Sequence, residues 1–302
     1  VRTVCGIVGI FVKDRALEAR LGGLLEPMLV TLTERGPDST GFAVYGEAIR
    51  DCTKLTLRGT AATDFERLAA QLSEPGAPPL AVVRRDTHAV LGVPSGHEWA
   101  VRRRLAEIAP EVAVVGAGRR MEVYKEVGLP SEVTARFELA GMRGTHAIGH
   151  TRMATESAVT TDGAHPYSTG ADECLVHNGS LSNHNDVRRR LRRDGIEFET
   201  ENDTEVAAGY ITWRQRQGLS LKAALEAALQ DLDGFYTFVV GNESGFGVLR
   251  DPIACKPAVM VETDGYVAFG TEYRALAQLP GVEAGRVFEP EPARVYFWER
   301  PQ

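Results

Sequence analysis

The sequence predicts an α+β protein built as a sandwich. Short apolar or alternating runs recur along the chain and read as strands. Longer stretches with helical spacing are grouped between these runs, which favours antiparallel sheets with helices laid against them. With 302 residues, the chain can bury a sizeable core.

In order, residues 5–12 predict a strand. Residues 15–33 predict an amphipathic helix with Leu17, Leu21, Leu24, Leu25, Met28 and Leu32 near helical spacing. Pro27 inside that pattern implies a kink or a late start. Arg35 to Gly41 is a loop by its Gly-Pro-Asp-Ser chemistry. Residues 42–58 read as strands turning around Gly46-Glu47. Residues 63–73 read as a helix capped by Thr63 or Asp64. A break follows at Gly76-Ala77-Pro78-Pro79, and 80–92 is extended. Then come a helix at 97–109, a strand at 111–115, a helix at 119–127 and a strand at 131–140. The stretch from about 60 to 144 reads as an α/β insertion within one domain that spans 1–302.

From 145 the strands resume. Residues 154–168 form a polar loop, and 173–177 predict a strand ending at an Asn178-Gly179 turn. Helices are expected at 183–194, closed by Gly195, at 203–216 and at 221–232. Strands are expected at 235–241, 245–250, 258–262, 266–270 and 294–298, with a short helix at 272–277.

Composition excludes several function classes. A net charge of −7 argues against a nucleic-acid surface, so the runs Arg102-Arg103-Arg104 and Arg188-Arg189-Arg190 read as solvated helix faces. No run of about 18 apolar residues predicts a membrane span. The N-terminus lacks a secretory apolar segment. The cysteines Cys5, Cys52, Cys174 and Cys255 lie far apart, without CxxC spacing for a metal. Four scattered thiols suggest a reducing cytoplasm, with all but Cys5 as small buried residues. Gly116-Ala117-Gly118 lacks the third glycine of a dinucleotide fingerprint.

The chemistry concentrates around Cys5, in the run Cys5-Gly6-Ile7-Val8-Gly9-Ile10. Alone, a small residue there reads as core. Four further stretches change that reading: Arg35-Gly36-Pro37-Asp38-Ser39-Thr40-Gly41, Gly149-His150-Thr151-Arg152-Met153-Ala154-Thr155, His177-Asn178-Gly179-Ser180-Leu181-Ser182-Asn183 and Asn202-Asp203-Thr204-Glu205-Val206. In this order they resemble the class II glutamine amidotransferases, over roughly 1–55 and 145–275. The resemblance implies an N-terminal-nucleophile hydrolase fold. That is a four-layer αββα sandwich of two antiparallel sheets.

It also implies roles. Cys5 would attack the carboxamide of L-glutamine. The Asn178 side chain and the Gly179 N–H would form the oxyanion hole. Taken alone, that pair is a plain hairpin turn. Arg152 would grip the α-carboxylate, for which a planar fork suits better than lysine. Asp203 would pair with the α-amino group, and it also fits a helix cap or first-turn acid. Thr155 and His165 fall where the family adds secondary substrate contacts. Arg35 and Asp38 match the loop that orders the site, or else a salt-bridged turn. A cysteine at the first position carries both a thiol, titrating near ~8.5, and an α-amine near ~7.7–8, so no catalytic histidine is required.

Two departures stand out. Val1-Arg2-Thr3-Val4 precedes Cys5, so a free Cys5 amine requires cleavage after Val4 or a different start. Met153 stands where sugar-phosphate-making relatives often carry Trp. No synthase domain follows the glutaminase pattern. The stretches 121–128 and 144–157 are most like detached amidotransferase subunits of glutamate-synthase-like systems, including the small subunit of N-methylglutamate synthase. The expectation is a cytoplasmic glutaminase subunit without cofactor or metal of its own. Flavin and iron–sulfur centres would sit on partner chains. The rivals are a non-catalytic glutamine-binding subunit and a stand-alone amidase of the same fold.

Overall fold

The computed structural model describes residues 5–74, 79–154 and 159–300. Thr155, the segment Val1–Val4 and most of the 76–79 break lie outside the described residues.

The first strand, β1 (Gly6–Val12), is buried along its whole length. Its side chains alternate between two cores. Ile7 and Phe11 join one cluster, and Val8, Ile10 and Val12 join another. A strand covered on both faces needs this continuous apolar run. β1 pairs antiparallel with β8 (His146–Arg152) on one side and β14 (Tyr266–Gly270) on the other. Beyond β8 lie β2 (Ser39–Tyr45) and β7 (Met121–Val127). Beyond β14 lie β13 (Val259–Glu262) and β15 (Arg286–Phe288), which completes a seven-stranded sheet.

A second sheet has five strands. In order these are β16 (Val295–Glu299), β12 (Gly245–Arg250), β11 (Gly234–Gly241), β10 (Glu173–Leu181) and β9 (Tyr167–Gly170). Between the two sheets Ile7, Phe11, Ile148, Val176, Val239, Phe246 and Phe269 form one apolar layer. The outer face of the large sheet is covered by α1 (Leu21–Thr31), through Leu21, Leu24, Leu25, Met28 and Leu29. The second sheet is covered by α5 (His184–Arg193), α6 (Asp203–Arg216) and α7 (Leu221–Asp231). The result is the expected αββα sandwich.

A third sheet packs beside the sandwich. Its strands are β3 (Cys52–Arg58), β4 (Ala81–Arg85), β5 (His88–Pro94) and β6 (Ala113–Gly118), in the order β4-β5-β3-β6. Helices α2 (Phe65–Leu72) and α3 (Glu98–Ile108) share a separate apolar cluster with it.

Several local expectations are corrected. Strands β2 and β3 do not pair as a hairpin around Gly46; β2 joins β7 and β8, while β3 joins β5 and β6. The helix expected at 119–127 is instead strand β7 from Met121 onward, because Met121 and Val123 fill the layer between the sheets. Residues 131–140 begin as α4 (Pro130–Arg136). Pro130 opens the first turn, and Glu132 accepts from the Leu129 N–H at 3.3 Å. Asn178 and Gly179 lie inside β10 and form no turn. Among the cysteines, Cys174 is buried, but Cys52 is half-buried and Cys255 is exposed. Strand β15 carried too few residues to register in the sequence pattern. Among the described residues, no helix is long and apolar enough to cross a membrane.

Candidate functional site

The site grows from the register of two strands. Gly6 lies opposite Thr151, so Cys5 at the entry to β1 meets Arg152 at the exit of β8. Strand β10 of the second sheet reaches the same point. The Asn178 side-chain Nδ2 donates to the Cys5 carbonyl at 3.0 Å, and the Arg35 Nε donates to the same oxygen at 3.4 Å. An amide NH₂ has two hydrogens, so Asn178 keeps one donor beyond this tether. The Cys5 thiol is half-buried, with the Met153 carbonyl 3.8 Å away. Burial pushes the thiol above its ordinary value, while the Met153 main chain and the Arg152 and Lys256 charges oppose that rise.

Gly179 has φ +147°. A side chain there would strike the Phe235 carbonyl and lie 2.7 Å from the Tyr236 Cα. Only glycine fits, both in conformation and in space.

Arg35 and Asp38 brace the loop before β2. The Arg35 guanidinium pairs with Glu272 at 2.5 Å. Asp38 donates its N–H to the Arg152 carbonyl at 3.0 Å, and its Oδ2 accepts from the Ala154 N–H at 2.7 Å. It therefore holds the chain on both sides of Met153.

Asp203 opens α6 as a first-turn acid, and Asn202 is the cap, its side chain accepting from the Thr204 N–H at 2.8 Å. Asp203 Oδ2 accepts from the Leu181 N–H at 2.9 Å. Next to it, Thr204 Oγ1 touches two buried imidazoles, His165 Nε2 at 2.7 Å and His177 Nδ1 at 3.0 Å. His165 stacks on His150 with ring centroids 3.9 Å apart, and His150 Nε2 reaches the His177 carbonyl at 3.1 Å.

Burial disfavours the charged form of all three histidines. Burial holds His150 down to about 3 and pushes His165 well below the usual imidazole range. Burial also lowers His177, although Asp203 opposes it. His177 Nδ1 lies 3.7 Å from Asp203 Oδ1. Burial makes all three weaker bases than a free imidazole.

A profile of the family described as "Glutamine amidotransferase domain" matches residues 150–278. The glutamine amidotransferase-like protein GlxB of Rhizobium meliloti (strain 1021) is 60% identical over 297 residues, covering 98% of both chains. The chain belongs to the class II glutamine amidotransferase family. A putative glutamine amidotransferase of Methanothermobacter thermautotrophicus is 32% identical, over 97% of this chain and 99% of its own. Among solved structures, the glutamine phosphoribosylpyrophosphate amidotransferase of B. subtilis aligns with a TM-score of 0.62 at 20% identity. That alignment covers 98% of this chain and 47% of that one, and it supports the shared fold. The chain is thus an enzyme of the amidotransferase type.

Sequence reading missed parts of the amidotransferase site. Thr204, His150 and His177 lie inside the motif stretches but were given no role of their own, whereas His165, already expected as a substrate contact, joins them through Thr204 and His150. Arg188 corrects the reading of its arginine run as solvated. It is 3% exposed and donates to the Thr200 carbonyl at 2.8 Å, Glu201 at 2.6 Å and the Asn202 carbonyl at 3.2 Å. It fixes the loop that delivers Asp203.

Proposed function

We propose that this amidotransferase hydrolyses L-glutamine through Cys5 and passes ammonia to a separate, glutamate-synthase-like partner in the cytoplasm. The observation that carries the reading is the 3.0 Å bond from Asn178 to the Cys5 carbonyl. It joins the two sheets at Cys5 and leaves Asn178 a second amide hydrogen at that residue.

The chemistry runs as follows. Cys5 Sγ attacks the glutamine carboxamide carbon, and its proton passes to the Cys5 α-amine through a water. Asn178 and the Gly179 N–H stabilise the oxyanion. The C–N bond breaks, the amine returns its proton, and ammonia leaves a γ-glutamyl thioester. Water then releases glutamate and restores the thiol. Burial weakens His150, His165 and His177 as bases, which favours the α-amine in that role. Arg152 takes the α-carboxylate and Asp203 the α-amino group, while Thr155 and His165 add secondary contacts and Arg35 and Asp38 order the loop. The whole chain acts as one amidotransferase domain, with the segment at about 60–144 inserted. The partner is of the N-methylglutamate synthase kind and carries the flavin and iron–sulfur centres.

Intact mass and N-terminal sequencing of the purified protein, beside a glutaminase assay, test this. The expected result is activity in the fraction that begins at Cys5. A fraction beginning at Cys5 that releases no ammonia from glutamine refutes the catalytic reading.

A further inference from the structure

One buried cation has no part in the chemistry above. Lys125 lies on β7 opposite Gly41 and is 6% exposed. Among the described residues no carboxylate pairs with it. Its Nζ instead meets three main-chain carbonyls of one short loop, Ala164 at 3.0 Å, Asp162 at 3.4 Å and Pro166 at 3.5 Å. The ammonium also lies 4.6 Å from the centre of the Tyr167 ring. An ammonium has three hydrogens, and three carbonyls of residues 162–166 lie within 3.5 Å of it. Burying it is costly unless such bonds compensate. Two neighbours secure the same loop: Glu126 accepts from Thr161, and Arg58 pairs with Asp162. Gly41 has no side chain to block it, for a Cβ there would meet the His165 carbonyl and lie 2.6 Å from the Lys125 Cβ.

The loop touches both halves of the substrate grip. A Cβ on Gly163 would lie 3.1 Å from the Arg152 Nη1, so the bare backbone lies against that guanidinium. Two residues on, His165 holds Thr204, which adjoins Asp203.

We propose that Lys125 is a positioning residue for amino-acid recognition: its ammonium holds loop 162–166 so that Arg152 and Asp203 meet one zwitterionic head group. This rests on the glutamine reading above. Burial lowers Lys125 to about 8. The charged and titratable groups facing it are Cys174, Arg58, Asp162, Glu199, Tyr167 and His165. Above that value a neutral amine offers two hydrogens to three carbonyls, and the loop loosens.

The test labels Cys5 of the full chain with two electrophiles and reads the rates by mass. Iodoacetamide has no amino-acid head; 6-diazo-5-oxo-L-norleucine has that of glutamine. Lys125→Met is expected to slow the diazo compound roughly tenfold and leave iodoacetamide unchanged, with Lys125→Arg intermediate. In the unsubstituted chain, the ratio of the two rates is expected to fall as pH rises through about 8. The ratio cancels titration of the thiol itself, and it needs no variant to fold. Equal slowing of both reagents, or a ratio flat across that range, overturns the positioning role. Absence of saturable diazo labelling in the unsubstituted chain overturns the glutamine reading instead, and the inference falls with it.

Discussion

The corner around Cys5 and the small sheet around β3 are both well buried, but they are built differently. The small sheet's core is Leu55, Leu57, Phe65, Leu68, Leu91, Val93, Val101 and Leu105. Its buried polar groups look outward to the sandwich. Lys54 pairs with Glu122 at 2.7 Å, Thr56 Oγ1 accepts from the Val123 N–H at 3.3 Å, and His88 stacks edge-on against Phe137. The corner instead buries Arg152, Asn178, Thr204 and three histidines together. Apolar contacts are non-directional, so the small sheet needs only volume and pattern. Each buried polar group needs a partner at a set angle, so the corner is specified atom by atom. It pays in stability, since one nitrogen on each of His150, His165 and His177 finds no hydrogen bond partner among the described residues.

That contrast predicts opposite phenotypes. The largest effect is expected at Asn178. Asn178→Ala should lower kcat by about 10²–10³ by removing an oxyanion donor, with a melting temperature close to that of the parent. A fall of less than about fivefold would mean that Asn178 only tethers the Cys5 carbonyl. The next effect belongs to the small sheet. Leu105 is 2% exposed, and Leu105→Ala should cost about 2–5 kcal/mol of unfolding free energy in a denaturant titration. Its kcat/KM should stay within about twofold, because the site shares none of its contacts. A large drop in activity would erase the distinction between the two regions.

The two regions also differed in how far the sequence revealed them. The motif stretches around Cys5, Arg152, Asn178 and Asp203 stood out because together, in one order, they resemble a known family, although each alone reads as core, turn or cap. Pairing did not stand out. The β2–β3 connection looked like a hairpin because Gly46-Glu47 offers turn chemistry, yet the β2 edge is taken by β7, some 80 residues on. The Glu and Lys residues in Met121–Val127 favoured a helix by propensity, and burial of Met121 and Val123 overrode it. Asn178-Gly179 carried a turn signature that strand β10 absorbs, with the positive φ of Gly179 kept inside the sheet. Arg188 read as an ordinary surface charge and Lys125 drew no reading of its own, because nothing local marks a cation whose acceptors are carbonyls from a distant or neighbouring loop.

The two regions also separate by pH. Burial holds His88, at the joint of the small sheet, and His150, in the corner, each at about 3. In the unfolded chain both titrate near ~6.5. Between these values the unfolded chain binds protons that the folded chain refuses, so stability is full above about pH 6.5 and falls as pH drops toward 3. Each group contributes up to about 1.4 kcal/mol per pH unit across that window. His88→Gln and His150→Gln should each flatten the acid limb of a stability–pH curve by one group's worth, whatever they do to its height. Only His150→Gln should also raise the KM for glutamine, since His150 backs His165 and through it Thr204. If both substitutions flatten the curve and neither moves KM, the histidine stack serves packing alone, and the specified corner shrinks to the residues that touch Cys5, Arg152 and Asp203.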